Sequence, residues 1–270
     1  VLLGNHYLCY KDYQKMNDTL NQTSVDIVMP NYNSYPFIEE TLKSIIGQSF
    51  KNWKLFVVDG NSNDETKEVL KKYSNHPNIN ITWLKKNKKP GFCRNLVIRN
   101  SKSEYIAFID SDDIWDKEKL SKQLDFMVKN KHHFTYTNYQ PFKSERNIKL
   151  LEIKPPKYFD FKKFTRNTSI ATSTMIVKRS SIGNVRFSNT KICEDYFFKC
   201  QILKKVNYAY CLLESLTKYR IRKDSLQSNK LKNFYWIWYI NKKFNKLNFF
   251  ENVMSLINIS ISSLRRYGFK

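Results

Sequence analysis

Three carboxylates stand within four residues, Asp110, Asp112 and Asp113, directly after the apolar run Tyr105 to Ile109. Charges packed this closely repel one another and are tolerable where a cation, or a set of donors, sits among them. Hard oxygen ligands suit Mg²⁺ or Mn²⁺ better than zinc. The same residues also fit a strand followed by an acidic helix cap, with Asp113 or Asp116 as the capping group. Two more acidic positions end or begin predicted elements. Asp59-Gly60 follows the apolar run Trp53 to Val58, and Glu194-Asp195 opens a predicted helix. In isolation Asp59-Gly60 reads as a turn, and Glu194-Asp195 as first-turn acids that complement a helix dipole.

The elements that must position these groups alternate. Val25 to Met29 is a short strand stopped by Pro30, and Asn31 to Pro36 is a loop. Ile38, Leu42, Ile45 and Ile46 then mark one face of a helix. Trp53 to Val58 is the second strand, and Asn63 or Asp64 can cap a helix running to about Tyr73. Ile79 to Leu84 is a third strand, Pro90-Gly91 opens a helix, and Tyr105 to Ile109 is the fourth strand. Leu120, Leu124, Met127 and Val128 mark the next helix. This order predicts an α/β fold with a mostly parallel, Rossmann-like sheet and right-handed crossovers. Asp59 and the 110–113 cluster then share the carboxyl edge of the sheet, where ligands of such folds collect. Further on, His133 to Asn138 is one more strand, Gln140 to Pro156 a polar excursion, and Thr172 to Val177 a strand. Cys193 to Leu203 is a helix, and Ala209 to Tyr219 a strand.

The totals set bounds. The chain has 270 residues and 41% hydrophobic content, enough for one large domain with an appendage. There are 47 Lys and Arg against 24 acids, a formal charge of +23. That excess implies a polyanionic partner, whether nucleic acid, an acidic membrane surface or phosphorylated substrates. The five cysteines include no Cys-x-x-Cys pair, so neither a zinc site nor a disulfide framework is suggested, and reduced thiols in a cytosolic compartment fit best. Cys93 and Cys193, beside candidate site residues, read as small packing residues. His132-His133 reads as a surface pair. No uncharged apolar run approaches the ~20 residues that span a bilayer, and Gly-rich dinucleotide and P-loop motifs are absent from the sequence.

Taken together, the acidic positions match a division of labour: one carboxylate for a nucleobase or ribose, one set for a metal, one for proton transfer. Sugar transfer from a nucleoside diphosphate needs all three. The chain resembles the family 2 inverting glycosyltransferases of the GT-A fold. The resemblance rests on an ordered set: Val25 to Asn33, Ile45 to Phe50, Val57 to Asp64, Gly91 with Arg94-Asn95, Tyr105 to Asp113, Glu194-Asp195, and Tyr219 to Ser225. It covers residues 25–226, within which 25–138 form the nucleotide-sugar half and 139–226 the acceptor half. Residues 1–24 are an extension, and 227–270 a basic, aromatic, helical C-terminal extension.

The resemblance implies a nucleotide-sugar donor, UDP-linked, held by Pro30, Tyr32, Asp59, Arg94, Asp110, Ser111, Asp112 and Arg222. It implies Mn²⁺ or Mg²⁺ on Asp112 and Asp113, with Asp195 as general base and Glu194 beside it. Arg94 is expected at a phosphate. Val58 stands where many relatives carry a further Asp, and Arg222 where many carry His, so Arg222 is expected to meet the diphosphate. By the same analogy the acceptor is a growing surface glycan or lipid-linked saccharide, in polysaccharide, capsule or lipooligosaccharide assembly. The rival interpretations are a basic nucleic-acid-binding protein, against which no recognised binding motif stands in the sequence, and a catalytically silent scaffold of the same fold. Nucleic acid is not expected as a partner, and oligomeric state is open. From Arg220 to Lys270 there are eleven Lys and Arg against Asp224 and Glu251, with Phe234, Tyr235, Trp236, Trp238 and Tyr239 among them. Cations favour anionic lipid, and Trp and Tyr favour the headgroup level. The expected location is therefore peripheral, on the cytoplasmic face of the membrane; the competing expectation is that these aromatics pack on the catalytic domain.

Overall fold

The first strand shows how the sheet is built. Every residue of β1 (Val25–Asn31) is buried, which requires a cover on both faces. Val25, Ile27 and Met29 belong to one apolar layer and Val28 to the other. The computed structural model describes residues 22–143, 148–222 and 230–267. Most of the expected N-terminal extension therefore lies outside the described residues.

After β1 come α1 (Ile38–Ile46), β2 (Trp53–Asp59), α2 (Thr66–Lys72), β3 (Ile79–Trp83), α3 (Pro90–Asn100) and β4 (Tyr105–Phe108). The chain continues through β5 (Ile114–Trp115), α4 (Lys119–Lys129), β6 (Phe134–Lys143), β7 (Ile148–Lys149), β8 (Tyr158–Phe159) and α5 (Phe161–Phe164). Then follow β9 (Ile176–Lys178), α6 (Arg179–Ile182), α7 (Glu194–Val206), β10 (Ala209–Arg220), α8 (Lys230–Ile240) and α9 (Phe249–Tyr267). The strands form one sheet in the order β3-β2-β1-β4-β9-β6-β10-β5, with β7 on β6 and β8 on β10. The β3-β2-β1-β4 half is parallel throughout, as the alternation predicted. β9 then pairs antiparallel with both β4 and β6, and β10 runs parallel to β6.

Strand order reverses between β1 and β4: α1 and α2 lead outward one way, and α3 crosses back to the other side. Such a switch point leaves a crevice at the carboxyl ends of the strands. Ile38, Leu42 and Ile45 of α1, with Leu120, Leu124 and Met127 of α4, fill one face of the sheet. Cys93 and Val97 of α3, Phe198 and Ile202 of α7, and Ile237, Ile240 and Ile259 of α8 and α9 fill the other. Burying each large apolar side chain contributes roughly 1.5–3 kcal/mol, so the C-terminal helices are anchored to the same core as the sheet.

Three sequence expectations change. β1 is not stopped by Pro30 but runs through it to Asn31, paired with β2. Thr172 to Val177 is not one strand: Thr172–Thr174 form a 3₁₀ turn and only Ile176–Lys178 join the sheet. The hydroxyls of Thr172 and Ser173 bond to side chains instead of leaving the backbone to a ladder. The supposed excursion at 140–156 begins inside β6, which runs on to Lys143, and Tyr139 bridges Ile153.

Candidate active site

At the exit of β1, Asn31 turns inward and Tyr32 is 45% exposed. Asp59, at the end of the neighbouring strand, is fully buried. It accepts from Asn31 Nδ2 at 2.7 Å, Ser62 Oγ at 2.5 Å and the Ser62 amide at 3.0 Å. Asn33 and Asn63 clasp each other across the two loops, at 2.7 and 2.9 Å. Asn33 and Asn61 both take left-handed backbone, which Asn tolerates better than most residues. Pro30 is buried within β1 opposite Val58. Of the expected nucleobase group, Tyr32 is thus the one that faces solvent, and Asp59 stiffens the rim behind it.

The strand-end cluster sits on the other side of the switch point. Asp110 receives Arg94 Nη2 at 2.6 Å, and its amide donates to Ser173 Oγ at 2.9 Å. Asp112 faces Arg222 Nη1 at 3.4 Å, while Ser111 offers its carbonyl to Thr41 Oγ1. Asp113 turns inward and differs from expectation. Ser173 Oγ donates to one of its oxygens at 2.5 Å and the Arg220 amide to the other at 2.8 Å. One oxygen holds the 3₁₀ turn and the other holds β10, so Asp113 is committed within the fold where Asp112 is the more open of the two. Burial first, then the charge of Asp110, pushes the Asp112 carboxyl above its usual range, against the pull of Arg222. Asp113 is pushed well above it by burial, then by Asp112 and Asp110.

Arg94 is the second departure. It was expected at a phosphate, yet its side chain is buried with both arms committed: Nη2 to Asp110, and Nη1 to Glu194 at 3.0 Å. It lies 5.1 Å from the Phe187 ring centre. A phosphate could reach it only by displacing a carboxylate. Arg94 therefore ties the strand-end cluster to the start of α7. Gly91, one turn earlier on α3, makes room: a Cβ there would lie 2.8 Å from Glu194 Cγ.

Helix α7 starts abruptly. Cys193 before it has φ of 60°, left-handed and costly for a residue with a side chain. That bend throws Glu194 and Asp195 into the helix's first turn. Asp195 Oδ2 accepts from Lys199 Nζ at 2.8 Å, one helical turn on, and from Thr172 Oγ1 at 3.2 Å. Lys199 is buried and also donates to the Ile170 carbonyl at 2.8 Å. Burial alone would raise the Asp195 carboxyl. The Lys199 ammonium, by charge and hydrogen bond, and Arg94 outweigh it and hold Asp195 at about 2. Glu194 moves the other way: burial raises it despite Arg94, and Asp195 raises it further. Two adjacent carboxyls with opposed shifts are a signature of divided acid–base roles. Burial pushes the thiol of Cys93 up to about 11 and that of Cys193 higher still, as packing residues would show.

Three positioning residues escaped the sequence analysis. Lys199 carried a readable signal, since it stands four residues after Asp195 on a helix. Ser173 carried none, and Arg220 stood in the Tyr219 to Ser225 segment with no role assigned. Arg220 donates to Glu40 Oε2 and to the Asp112 carbonyl, both at 2.6 Å, and joins segments 180 and 108 residues apart.

Among the described residues searched, no three His, Cys, Asp or Glu side chains converge to cage a metal. Mg²⁺ and Mn²⁺ do not demand such a cage: one or two carboxylates, with substrate phosphates and water completing the shell, suffice. Asp110 and Asp112, with side chains 35% and 22% exposed, are hard-oxygen donors of that kind, so the donor set fits.

The sequence model of the family described as glycosyl transferase family 2 matches residues 26–186. An uncharacterized glycosyltransferase of Haemophilus influenzae is 30% identical over 251 residues, 92% of this chain and 99% of its own length. The Escherichia coli UDP-Glc:alpha-D-GlcNAc-diphosphoundecaprenol beta-1,3-glucosyltransferase WfgD is 28% identical over 246 residues, 91% of this chain and 95% of that protein. Among solved structures, Staphylococcus aureus TarS 1–349 in complex with UDP-GlcNAc aligns with a TM-score of 0.69 at 20% identity, over 90% of this chain and 73% of that one.

Proposed function

The chain belongs to glycosyl transferase family 2 and has the GT-A fold, and from that premise we propose that it moves a sugar from a UDP-linked donor to a hydroxyl of a lipid-linked bacterial glycan, with inversion. The donor class is supported by the UDP-GlcNAc complex of TarS, and the acceptor class by the diphosphoundecaprenol substrate in the name of WfgD. The observation that carries the chemistry is the state of Asp195. Its carboxylate is pinned through Oδ2 to Lys199 and Thr172, is held by Lys199 below the usual carboxylate range, and remains 19% exposed.

In this reading the acceptor hydroxyl lies against Asp195. As its oxygen bonds to the anomeric carbon, Asp195 takes the proton, and the electron pair of the breaking C–O bond leaves with the diphosphate. A low pKa weakens the base, but proton transfer accompanies bond formation, when the hydroxyl is far more acidic than in the free acceptor. One displacement from the face opposite the leaving group inverts the anomeric centre. Tyr32 supplies a ring at the nucleobase edge, with Asp59 and Pro30 behind it. Arg222 sits beside Asp112, where its charge can meet a phosphate. Mg²⁺ or Mn²⁺ held by Asp112, with Asp110 beside it, would supply further positive charge against the diphosphate. Arg94 keeps the donor edge and the α7 start in register.

The test is the anomeric configuration of the product, read by NMR after turnover of an α-linked UDP-sugar. A β-linkage is expected, and a retained α-linkage would overturn the one-step mechanism.

A further inference from the structure

The last helix is amphipathic in the reverse sense to a core helix. Asn252, Ser255 and Ile259 of α9 point inward and are buried. Phe250, Met254, Ile257 and Ile261, spaced by four, three and four residues, form one apolar stripe on the opposite side. Their exposures are 77%, 47%, 47% and 43%.

The inward face is held by polar bonds. Asn241, in the π-helical turn between α8 and α9, receives the Tyr196 hydroxyl at 2.7 Å. Its amide donates to Asn252 Oδ1 at 3.1 Å and Ser255 Oγ at 3.0 Å. Asn252 in turn donates to the Trp238 carbonyl, and Ser255 to the Thr165 carbonyl. Directional bonds of this kind fix which side of α9 faces the protein. The outward side of the stripe is therefore built in by the fold.

Charge identifies the occupant. Residues 230–267 carry seven Lys and Arg and a single acid, Glu251. Exposed Lys242, Lys243 and Lys246 precede α9, and exposed Arg265 closes it. A second copy of this chain would bring two such basic ends together, in a protein already at +23. An anionic bilayer satisfies both parts: acyl chains accept the stripe and headgroups the cations. The helix, at 19 residues, would lie about 28 Å along the interface. Among the described residues no helix is long and apolar enough to cross a membrane.

We propose that the outward stripe of α9 is a membrane-docking face for anionic bilayers. Of the two sequence expectations for the tail, packing is seen in α8 through Ile237 and Ile240, and docking is the role assigned here to α9. The inference does not depend on the sugar chemistry, and its test uses no activity.

The full chain is floated with vesicles of phosphatidylcholine alone and with phosphatidylglycerol added, at low and high salt. Flotation should require the anionic lipid and weaken with salt. The triple variant Met254→Ser, Ile257→Ser, Ile261→Ser should lose roughly tenfold or more of its binding, while its circular dichroism stays that of the parent, since these positions are exposed. Leu151→Ser, at an exposed apolar residue elsewhere, should float as the parent does. Flotation of the triple variant equal to the parent would overturn the proposal. So would equal flotation on neutral and anionic vesicles, or a parent that is dimeric by light scattering and a triple variant that is monomeric.

Discussion

The two acidic groups of this protein are made of the same residue types and have opposite electrostatics. At the end of β4, burial and then Asp110 push Asp112 upward, and burial, then Asp112 and Asp110, push Asp113 upward. At the start of α7, Asp195 is held near 2 because Lys199, buried within the same helix, supplies a counter-charge. Under the proposed reaction a base must be ionised before the acceptor arrives, and the cation beside Asp195 is built into the same helix. At the end of β4 the cations are Arg94 on Asp110 and Arg222 on Asp112, and they do not outweigh burial at Asp112. Arg94, bonded to Asp110 on one side and Glu194 on the other, is the element common to both.

The largest effect should come from the helix side. Asp195→Asn removes the proton acceptor and should lower kcat by about 10² to 10⁴, with the Kd for UDP, from calorimetry, unchanged. A collapse of UDP affinity with turnover preserved would move Asp195 to the donor edge. Breaking the link comes next. Arg94→Met leaves half-buried Glu194 facing Asp110 without a cation and should cost about 2–4 kcal/mol in urea unfolding. A variant as stable as the parent would show that the bridge is incidental.

Gly91→Ala tests the spacing between α3 and α7. Its Cβ would overlap the Glu194 side chain and Phe187, so a destabilisation of about 1–3 kcal/mol is expected, and none would mean that the two helices slide freely. The smallest effect at neutral pH belongs to Lys199→Met. With the ammonium gone and burial remaining, the Asp195 pKa rises. Activity then depends on a proton lost at higher pH, and the acid limb of kcat/KM should move up by about one to three pH units. Superimposable limbs would deny Lys199 its role as the counter-charge.

How much of this could be read in advance follows from where the information lies. Val25 to Met29 and Tyr105 to Ile109 announce buried strands because their residues are apolar, Asp26 apart, and the alternation of elements fixes the parallel half of the sheet. Asp59, Asp110, Asp112 and Asp195 were legible because strand ends and helix starts place them. Their partners were not: the pairs Arg94–Glu194, Ser173–Asp113 and Arg220–Glu40 span 100, 60 and 180 residues, and sequence carries no mark of such meetings. The direction in which the α9 stripe faces carries no mark in the sequence. That direction is set by Asn241, Asn252 and Ser255, which look like surface residues in the sequence and are buried in the fold.

The most direct test of the contrast between the two groups is calorimetric titration of Mn²⁺ with UDP into the parent, Asp112→Asn and Asp195→Asn. The account predicts that Asp112→Asn loses Mn²⁺-dependent UDP binding while Asp195→Asn retains it at parental affinity. Retention by Asp112→Asn together with loss by Asp195→Asn would contradict it.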